Sequence, residues 1–430
     1  MTAVISTETL IAEAESRAGT DTVHAATDAD VVDGVRPRLV AQPRSAEKLA
    51  ATLAWASSIR LHVLVRGAGT KLTWGAPAKE FDLVLSTMGL GSRVEHRHGD
   101  LTATLDAGVT LASANRKLGA HGQWLPLDPL EEERATIGGI VATNDSGPRR
   151  HRHGAPRDMI IGITVARSDG KIAKAGGIVV KNVAGYDLSR LYTGSFGSLG
   201  VILSATFKLA PVASASRTAV VEPKGQSGMN ALEALESLSA EVMASNLTPA
   251  AFEAEWPSAR LLVRFESVEE AVTEQAAEVA RLVGHRGRVT VVTGDVESSL
   301  WGRHAGLRSR PGSLVKLTTL PTEFIRTLTW LRDQSAVHDL SLEVAGRAGL
   351  GVADVRLDGT FDTQARVITA LRERLPIGQG SAVIRRAHPE LRQRVDPWGP
   401  VGDSLGVMQL VKRRFDPSGT LNPGRGPGGF

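Results

Sequence analysis

The spacing of apolar positions changes period several times along the 430-residue chain. Ser6–Ala18 carries them at helical spacing behind Ser6 or Thr7, which predicts a short capped helix. Gly19–Asp33 is small and polar and reads as a loop or an extended lead-in. From Leu39 the pattern turns to β–α–β. A strand at Leu39-Val40 precedes a helix over Ser45–Ser58, capped by Ser45, with Leu49, Leu53 and Ala56 on one face. A strand over His62–Arg66 then runs into Gly67-Ala68-Gly69. Further strands are predicted at Phe81–Ser86, Leu101–Ala107 and Gly200–Leu209, with a helix capped by Thr110 over Thr110–Leu118. Ile160–Ala166 and Gly170–Ala173 read as a hairpin-like pair around Ser168-Asp169-Gly170. Between Trp124 and Gly147, glycine, proline and small residues dominate. Pro211 breaks the pattern, and Val212–Gly228 reads as a boundary.

The middle of the chain has its own rhythm. Strands at Thr218–Val221, Arg260–Glu266, Val289–Val292, Leu314–Thr318, Ser341–Ala345 and Val352–Leu357 accompany helices at Met229–Ala244, Val268–Val283, Thr322–Gln334 and Phe361–Leu375. Short turns between them predict an α+β unit with an antiparallel sheet covered on one face. The tail Asp416–Phe430 is rich in glycine and proline, and no regular element is expected there. The chain is too long for one core, so two or three domains are expected.

Composition narrows the function. Cysteine is absent, which excludes disulfides, thiol catalysis and cysteine-held clusters or zinc, and fits a cytoplasmic location. The N-terminus has no secretory pattern, and no apolar run is long enough to span a membrane. The net charge of +4 comes from scattered residues with short clusters such as Arg149–His153, Arg385-Arg386 and Lys412–Arg414. Aromatic residues make up 4%, too few to interleave a nucleic-acid stripe, so no nucleic-acid partner is expected. The scattered charge suits a small anionic ligand.

Three segments carry chemistry. Arg66-Gly67-Ala68-Gly69-Thr70-Lys71 can curl its backbone N–H groups round an anionic oxygen, with Thr70 adding a hydroxyl and Lys71 a charge. It lacks the second glycine–lysine of a Walker loop, and Leu72 stands where a Rossmann loop needs glycine. The second segment holds Pro126, Asp128, Pro129, Thr136, Ile137, Gly138, Gly139, Ala142, Thr143, Asn144, Ser146 and Gly147. Its small residues leave room for something flat, and its hydroxyl and amide groups supply neutral hydrogen-bond partners. The third runs Gly176-Gly177, Lys181–Leu188 and Gly194-Ser195-Phe196-Gly197-Ser198-Leu199-Gly200-Val201. His151 and His153 alternate among arginines, a poor ligand set for a metal, and read as a solvated loop; His304, His338 and His388 are isolated. No metal site is expected.

In this order and spacing the three segments resemble the flavoproteins with a PCMH-type FAD-binding domain, the vanillyl-alcohol oxidase and p-cresol methylhydroxylase family. Arg150–Asp158, Val180–Leu191, Trp398–Pro400 and Lys412–Arg425 are similar to the E subunit of glycolate oxidases. The resemblance implies an α+β fold: a two-lobed FAD-binding domain plus an α+β cap with an antiparallel sheet. The implied division is an N-terminal helix and lead-in over residues 1–33, the FAD-binding domain over 34–212, the cap or substrate-side domain over 213–375, and a C-terminal segment over 376–430 that returns to the FAD domain. Gly67, Ala68, Gly69, Thr70 and Lys71, with Arg66 before them, would hold the pyrophosphate. Pro126, Asp128, Thr136, Ile137, Gly138, Gly139, Ala142, Thr143, Asn144, Ser146 and Gly147 would line the dinucleotide, and Gly200, Val201 and Ile202 would approach the adenine half. Lys181 and Tyr186 would lie near the cofactor or serve packing.

Two departures from the family pattern matter. Thr70 stands where many members carry the flavin-linking histidine, and there is no cysteine, so non-covalent FAD is expected. The Gly-His-x-Gly-Asp-Gly-Asn-x-His stretch of the 2-hydroxy-acid dehydrogenases corresponds to Ala345–Ala353, which keeps glycines but no histidine. Arg347 stays protonated and cannot act as a base, so the catalytic residue is not assigned. The resemblance thus implies an FAD-binding oxidoreductase subunit that relays electrons for, or supports, a catalytic flavoprotein and an iron–sulfur partner, with a small 2-hydroxy acid as substrate. A self-sufficient FAD-dependent oxidase or dehydrogenase, and a scaffold that keeps the fold alone, are the competing readings.

Overall fold

The computed structural model describes residues 6–178, 185–224, 229–375 and 378–430. The chain divides into two compact units. The first comprises 1–146, 154–212 and 401–430; the second comprises 147–153 and 213–400.

Among the described residues the first unit holds two larger sheets and a two-stranded one that pairs Gln123–Trp124 with Ala210–Pro211. Strands Val23–Ala25, Leu39–Ala41, Leu83–Ser86 and Val63–Arg66 lie in that order, the last three mutually parallel. The predicted β–α–β unit is present, with Leu83–Ser86 inserted between its two strands. Helices Thr7–Ala18 and Ala46–Ser58 pack Leu10, Ala14, Leu49 and Leu53 over this sheet, and Ser6 and Ser45 cap them as their sequences require. The second sheet is antiparallel, in the order Val94–Arg97, Thr102–Asp106, Val201–Lys208, Ile160–Ala166, Ile172–Gly176. Leu111–Gly119, capped by Thr110, packs over it with Ile137–Thr143. This last helix lies in the stretch where glycine hid any helical period. Thr136 caps it, and at Gly138 a side chain would meet Ala107 at 2.9 Å, so close packing uses the glycine.

The second unit is one eight-stranded antiparallel sheet. Its order is Gly287–Val292, Ala215–Pro223, Arg260–Ser267, Ala251–Trp256, Ser341–Arg347, Val352–Asp358, Ser313–Thr318, Ser381–Arg386. The stretch read as a boundary, Val212–Gly228, contains the strand Ala215–Pro223. One face carries the predicted apolar cover, with Leu235, Val272, Val279, Leu328, Leu331, Val367 and Ile368 on Phe252, Val263, Val315 and Val355. The other face is not bare. The helix Gly294–Ser309 lies on it and buries Glu297, Leu300, His304 and Arg308. Those four recur at helical spacing but three are polar or charged, so the hydrophobic pattern gave no sign of the helix. The helix Ser404–Phe415 escaped for the opposite reason: its Val407, Met408 and Leu410 are exposed. Among the described residues no helix is long and apolar enough to cross a membrane.

Candidate functional site

The site is built on the end of strand Val63–Arg66. Arg66 is not open to solvent charge: its guanidinium meets the Asp30 carboxylate at 2.8 Å. Burial raises the Asp30 pKa, but the Thr27 backbone N–H and Arg66 outweigh it and hold that carboxyl below its usual range. Beyond Arg66 the chain turns through Gly67 and Gly69, the latter at φ +78°. A Cβ on Gly67 would stand 2.2 Å from Thr136 Oγ1, so only glycine lets this loop lie against the capping residue of Ile137–Thr143. The first two Gly-rich segments therefore meet. Arg66, Gly67, Ala68, Gly69, Thr70 and Lys71 line one wall of a cleft, and Thr136, Gly139, Ala142 and Thr143 line the other.

The cleft continues along Gly138, Gly200 and Ile202, with Thr87, Phe196 and Gly197 beside them. The Gly-Ser-x-Gly stretch is fixed to the helix by Gly194 N–H on the Val141 carbonyl at 2.9 Å and Phe196 N–H on the Ala142 carbonyl at 2.8 Å. Asn422 ties the two walls. Its Oδ1 accepts from Val65 N–H at 3.1 Å, and its Nδ2 donates to the Phe196 carbonyl at 2.7 Å. A buried Lys412 ammonium donates to Asp416, to the Ser198 carbonyl and to the Leu421 carbonyl, which holds the tail in place. Arg425 donates to the carbonyls of Leu72 and Trp74. Phe196, Asn422 and Arg425 were not assigned to the site from sequence. Their signal was present in the Gly-Ser-x-Gly and Leu-Asn-Pro-Gly motifs, but nothing in one dimension placed the tail beside residue 65.

The other expected residues are distributed unevenly. Lys71 lines the cleft, yet its buried ammonium turns to Asp145 at 3.5 Å and donates to Thr70 Oγ1 at 3.2 Å. Ile137 and Val201 are buried in core clusters, so only their backbones could reach a ligand. Pro126, Asp128 and Ser146 are buried. Asn144 ends the helix at φ +49° and accepts from Arg157 N–H at 3.1 Å. Gly147 begins the short segment belonging to the second unit. Lys181 lies outside the described residues, and Tyr186 is 93% exposed. A larger cleft lies over the five-stranded sheet, between Arg93, Thr104, Asp106 and Lys174; it shares no residue with the Gly-rich one.

The sequence profile of the FAD binding domain family matches residues 37–176, which contain the Gly-rich loop and the Thr136–Thr143 wall. The chain carries a PCMH-type FAD-binding domain. It is 26% identical over 422 residues to glycolate oxidase subunit GlcD of Bacillus subtilis (strain 168), covering 90% of this chain and 88% of that one. It is 37% identical over 158 residues to glycolate oxidase subunit GlcE of Escherichia coli (strain K12), covering 36% and 44%. The 4-ethylphenol oxidase from Gulosibacter chungangensis has the same fold, with a TM-score of 0.74 at 14% identity over 98% of both chains. The chain is thus an FAD-binding oxidoreductase related to glycolate oxidase subunits.

In the second unit, the altered Ala345–Ala353 stretch forms a strand end and a tight turn. Arg347 is fully buried there and pairs with Asp354 at 2.7 Å, beside Glu253 at 3.7 Å. Asp354 also takes Arg308 at 2.9 Å and Arg385 at 2.8 Å. Burial alone would raise the Asp354 pKa, but these guanidiniums hold it far below the carboxylate range. The stretch therefore offers a buried ion cluster and no base. Among the described residues no group of three or more His, Asp or Glu forms a metal-ligand set.

The histidines depart from expectation. His304 is not isolated: it is buried between Glu255 at 2.6 Å and Glu253 at 3.1 Å. His151 and His153 are not in a solvated loop. They sit in the short helix Arg150–His153, and burial lowers the pKa of both. Burial also opposes charge on His304, but the two carboxylates prevail and raise its pKa above 6.5, while Glu255 falls from 4.5 to about 2. A raised histidine stabilises the fold fully below pH 6.5 and loses that contribution as pH rises through its folded pKa. The depressed Glu255 contributes above pH 4.5 and loses it as pH falls towards 2. The melting-temperature gap between the natural chain and His304→Gln should be widest between pH 4.5 and 6.5 and narrow towards pH 9. A gap that widens with alkalinity would contradict this assignment.

Proposed function

We propose that this chain is a non-covalent FAD subunit of a 2-hydroxy-acid dehydrogenase complex. The observation that carries the reading is the joined cleft, in which the Gly67 loop, the Thr136 cap and the Gly200 turn face one elongated space with Asn422 across it. The backbone from Gly67 to Thr70 would hold the pyrophosphate. Thr136, Gly138, Gly139, Ala142 and Thr143 would flank the dinucleotide, and Gly200, Val201 and Ile202 would meet the adenine end. Lys71, already paired to Asp145, would position the loop rather than neutralise phosphate directly. Bound FAD supplies a two-electron acceptor; the chain's own residues bind it, orient it and exclude water.

Non-covalent binding is supported by the lining. No histidine, cysteine or tyrosine stands among the described residues facing the cleft. A role within a complex is supported by the names of the relatives and by the absence of a base in the Ala345–Ala353 stretch. The catalytic flavoprotein and iron–sulfur partner would then complete the oxidation. An anaerobic test decides this. Glycolate or D-lactate should leave the flavin of the isolated chain oxidised and bleach it once the partner subunits are added. Rapid bleaching of the chain alone would favour a self-sufficient dehydrogenase.

Asn422→Ala removes both hydrogen bonds that tie the cleft walls. Leaving the Val65 N–H and the Phe196 carbonyl without it should cost about 1–3 kcal/mol. The FAD dissociation constant should rise roughly tenfold or more, as followed by flavin fluorescence. An unchanged constant would remove Asn422 from the site.

A further inference from the structure

The cleft over the five-stranded sheet has a volume of about 520 Å³ and lies within the first unit. It shares no residue with the Gly-rich cleft. Alternate residues of a strand face opposite sides. Ala103, Leu105, Ala205 and Phe207 enter the core beneath Ile137–Thr143, and Thr104, Asp106 and Thr206 face the cleft. Strand Val201–Lys208 breaks this alternation at Leu203, where its register against Ile160–Ala166 slips by one residue. The extra residue of such a bulge re-aims the side chains beside it. Leu203 joins Leu49 and Ala50 in the core of helix Ala46–Ser58, and Ser204 lines the cleft. Ser204 is 4% exposed, and among the described residues no hydrogen bond reaches its hydroxyl. A buried hydroxyl is costly to leave unpaired, so its place on the cleft floor calls for a partner from the cleft.

The register sets Ser204 in a row. Lys174 stands opposite Thr164, Thr164 opposite Ser204, and Ser204 opposite Asp106. The half-buried Thr164 also makes no side-chain hydrogen bond among the described residues. Neighbouring strands stand about 4.8 Å apart, so hydroxyls on two of them can meet one tetrahedral anion. The charges at the rim favour an anion. Asp106 is taken by Arg93 at 3.1 Å and Glu95 by Arg97 at 3.0 Å. Lys174 and Arg44 are exposed and form no ion pair among the described residues, against one such carboxylate, Glu47. Beyond this row the Thr104 and Thr206 hydroxyls share a single hydrogen bond at 2.8 Å, which leaves one O–H free. No side chain rises from Gly162 or Gly176 beside them, and no aromatic ring lines the cleft among the described residues. The floor therefore offers hydroxyls rather than a stacking surface.

We propose that this cleft binds a phosphorylated polyol of sugar-phosphate type. Lys174, Thr164 and Ser204 hold the phosphate, and Asp106 with the Thr104–Thr206 pair holds hydroxyls of the polyol. Arg44 adds charge at the rim.

The test is calorimetric titration of the FAD-loaded full chain at about 0.15 M ionic strength, where loose surface pairing is screened. The probes are glucose 6-phosphate, glycerol 3-phosphate, glucose and inorganic phosphate. At least one of the two phosphorylated polyols should bind saturably, inorganic phosphate at least tenfold more weakly, and glucose not at all. Lys174→Met should weaken the phosphorylated polyol at least tenfold and Ser204→Ala several-fold. Neither residue lines the Gly-rich cleft, so both variants should keep the natural flavin content. Lys174 is exposed, so its variant decides the matter even if Ser204→Ala does not fold. Three results would overturn the proposal: no binding of either phosphorylated polyol to the natural chain, glucose or inorganic phosphate binding as tightly as they do, or full-strength binding by Lys174→Met. Bleaching of the flavin, with or without partner subunits, bears only on the complex reading and leaves this site untouched.

Discussion

Gly67→Val should yield a folded chain that purifies without yellow colour. The first atom of any side chain at this position would stand 2.2 Å from Thr136 Oγ1. Thr136 cannot yield freely, because its hydroxyl accepts from Gly139 N–H and caps Ile137–Thr143. Either the loop moves away from the helix or the cap is lost. The loop carries the backbone N–H groups proposed to meet the pyrophosphate, so movement in either direction degrades the cradle. Overpacking costs about 1–3 kcal/mol, which corresponds to roughly a ten- to hundred-fold loss of FAD affinity before the valine branches are counted. Flavin absorbance per chain and circular dichroism check the two halves of the expectation. A yellow variant with natural affinity would contradict the proposed role of this loop.

Asp354→Ala should cause the largest loss of stability in the second unit. Asp354 is a buried carboxylate holding Arg308, Arg347 and Arg385, each within 3 Å and all nearly inaccessible. Removing the anion leaves three guanidiniums confined with no substitute of equal charge. Breaking a buried pair by deleting one partner costs about 3–5 kcal/mol, and this case deletes the anion of three pairs. For a unit of this size the melting transition should fall by roughly 10 °C or more. Asp354→Asn keeps the shape and the hydrogen-bond acceptor but not the charge, and should fall between the two. A transition within about 2 °C of the natural chain for Asp354→Ala would show that the arginines are solvated or paired elsewhere.

The sequence revealed most where burial and chain order agree. Ser6, Ser45 and Thr110 cap helices they were predicted to cap, because a hydroxyl three residues ahead of an apolar stripe has one economical use. The Gly67 loop and the Thr136–Thr143 segment line one cleft. Three kinds of feature were hidden. The helix Gly294–Ser309 buries charge rather than hydrocarbon, so periodicity of apolar residues could not mark it. Asn422 lies 357 positions from its partner Val65, and a lone asparagine carries no mark of such a contact. His304 looked isolated because Glu253 and Glu255 reach its helix from the distant strand Ala251–Trp256. In each case the missing information is a tertiary contact between polar groups, which leaves no local pattern.

Non-covalent binding of FAD is proposed for the Gly-rich cleft. It is tested most directly by denaturing the purified flavoprotein in acid and separating the flavin from the precipitated chain. One FAD per chain is expected in the supernatant and none with the pellet, with a large loss of bound flavin in Gly67→Val. Flavin that stays with the precipitated protein, or a natural chain that binds no FAD when it is supplied in excess, would contradict it.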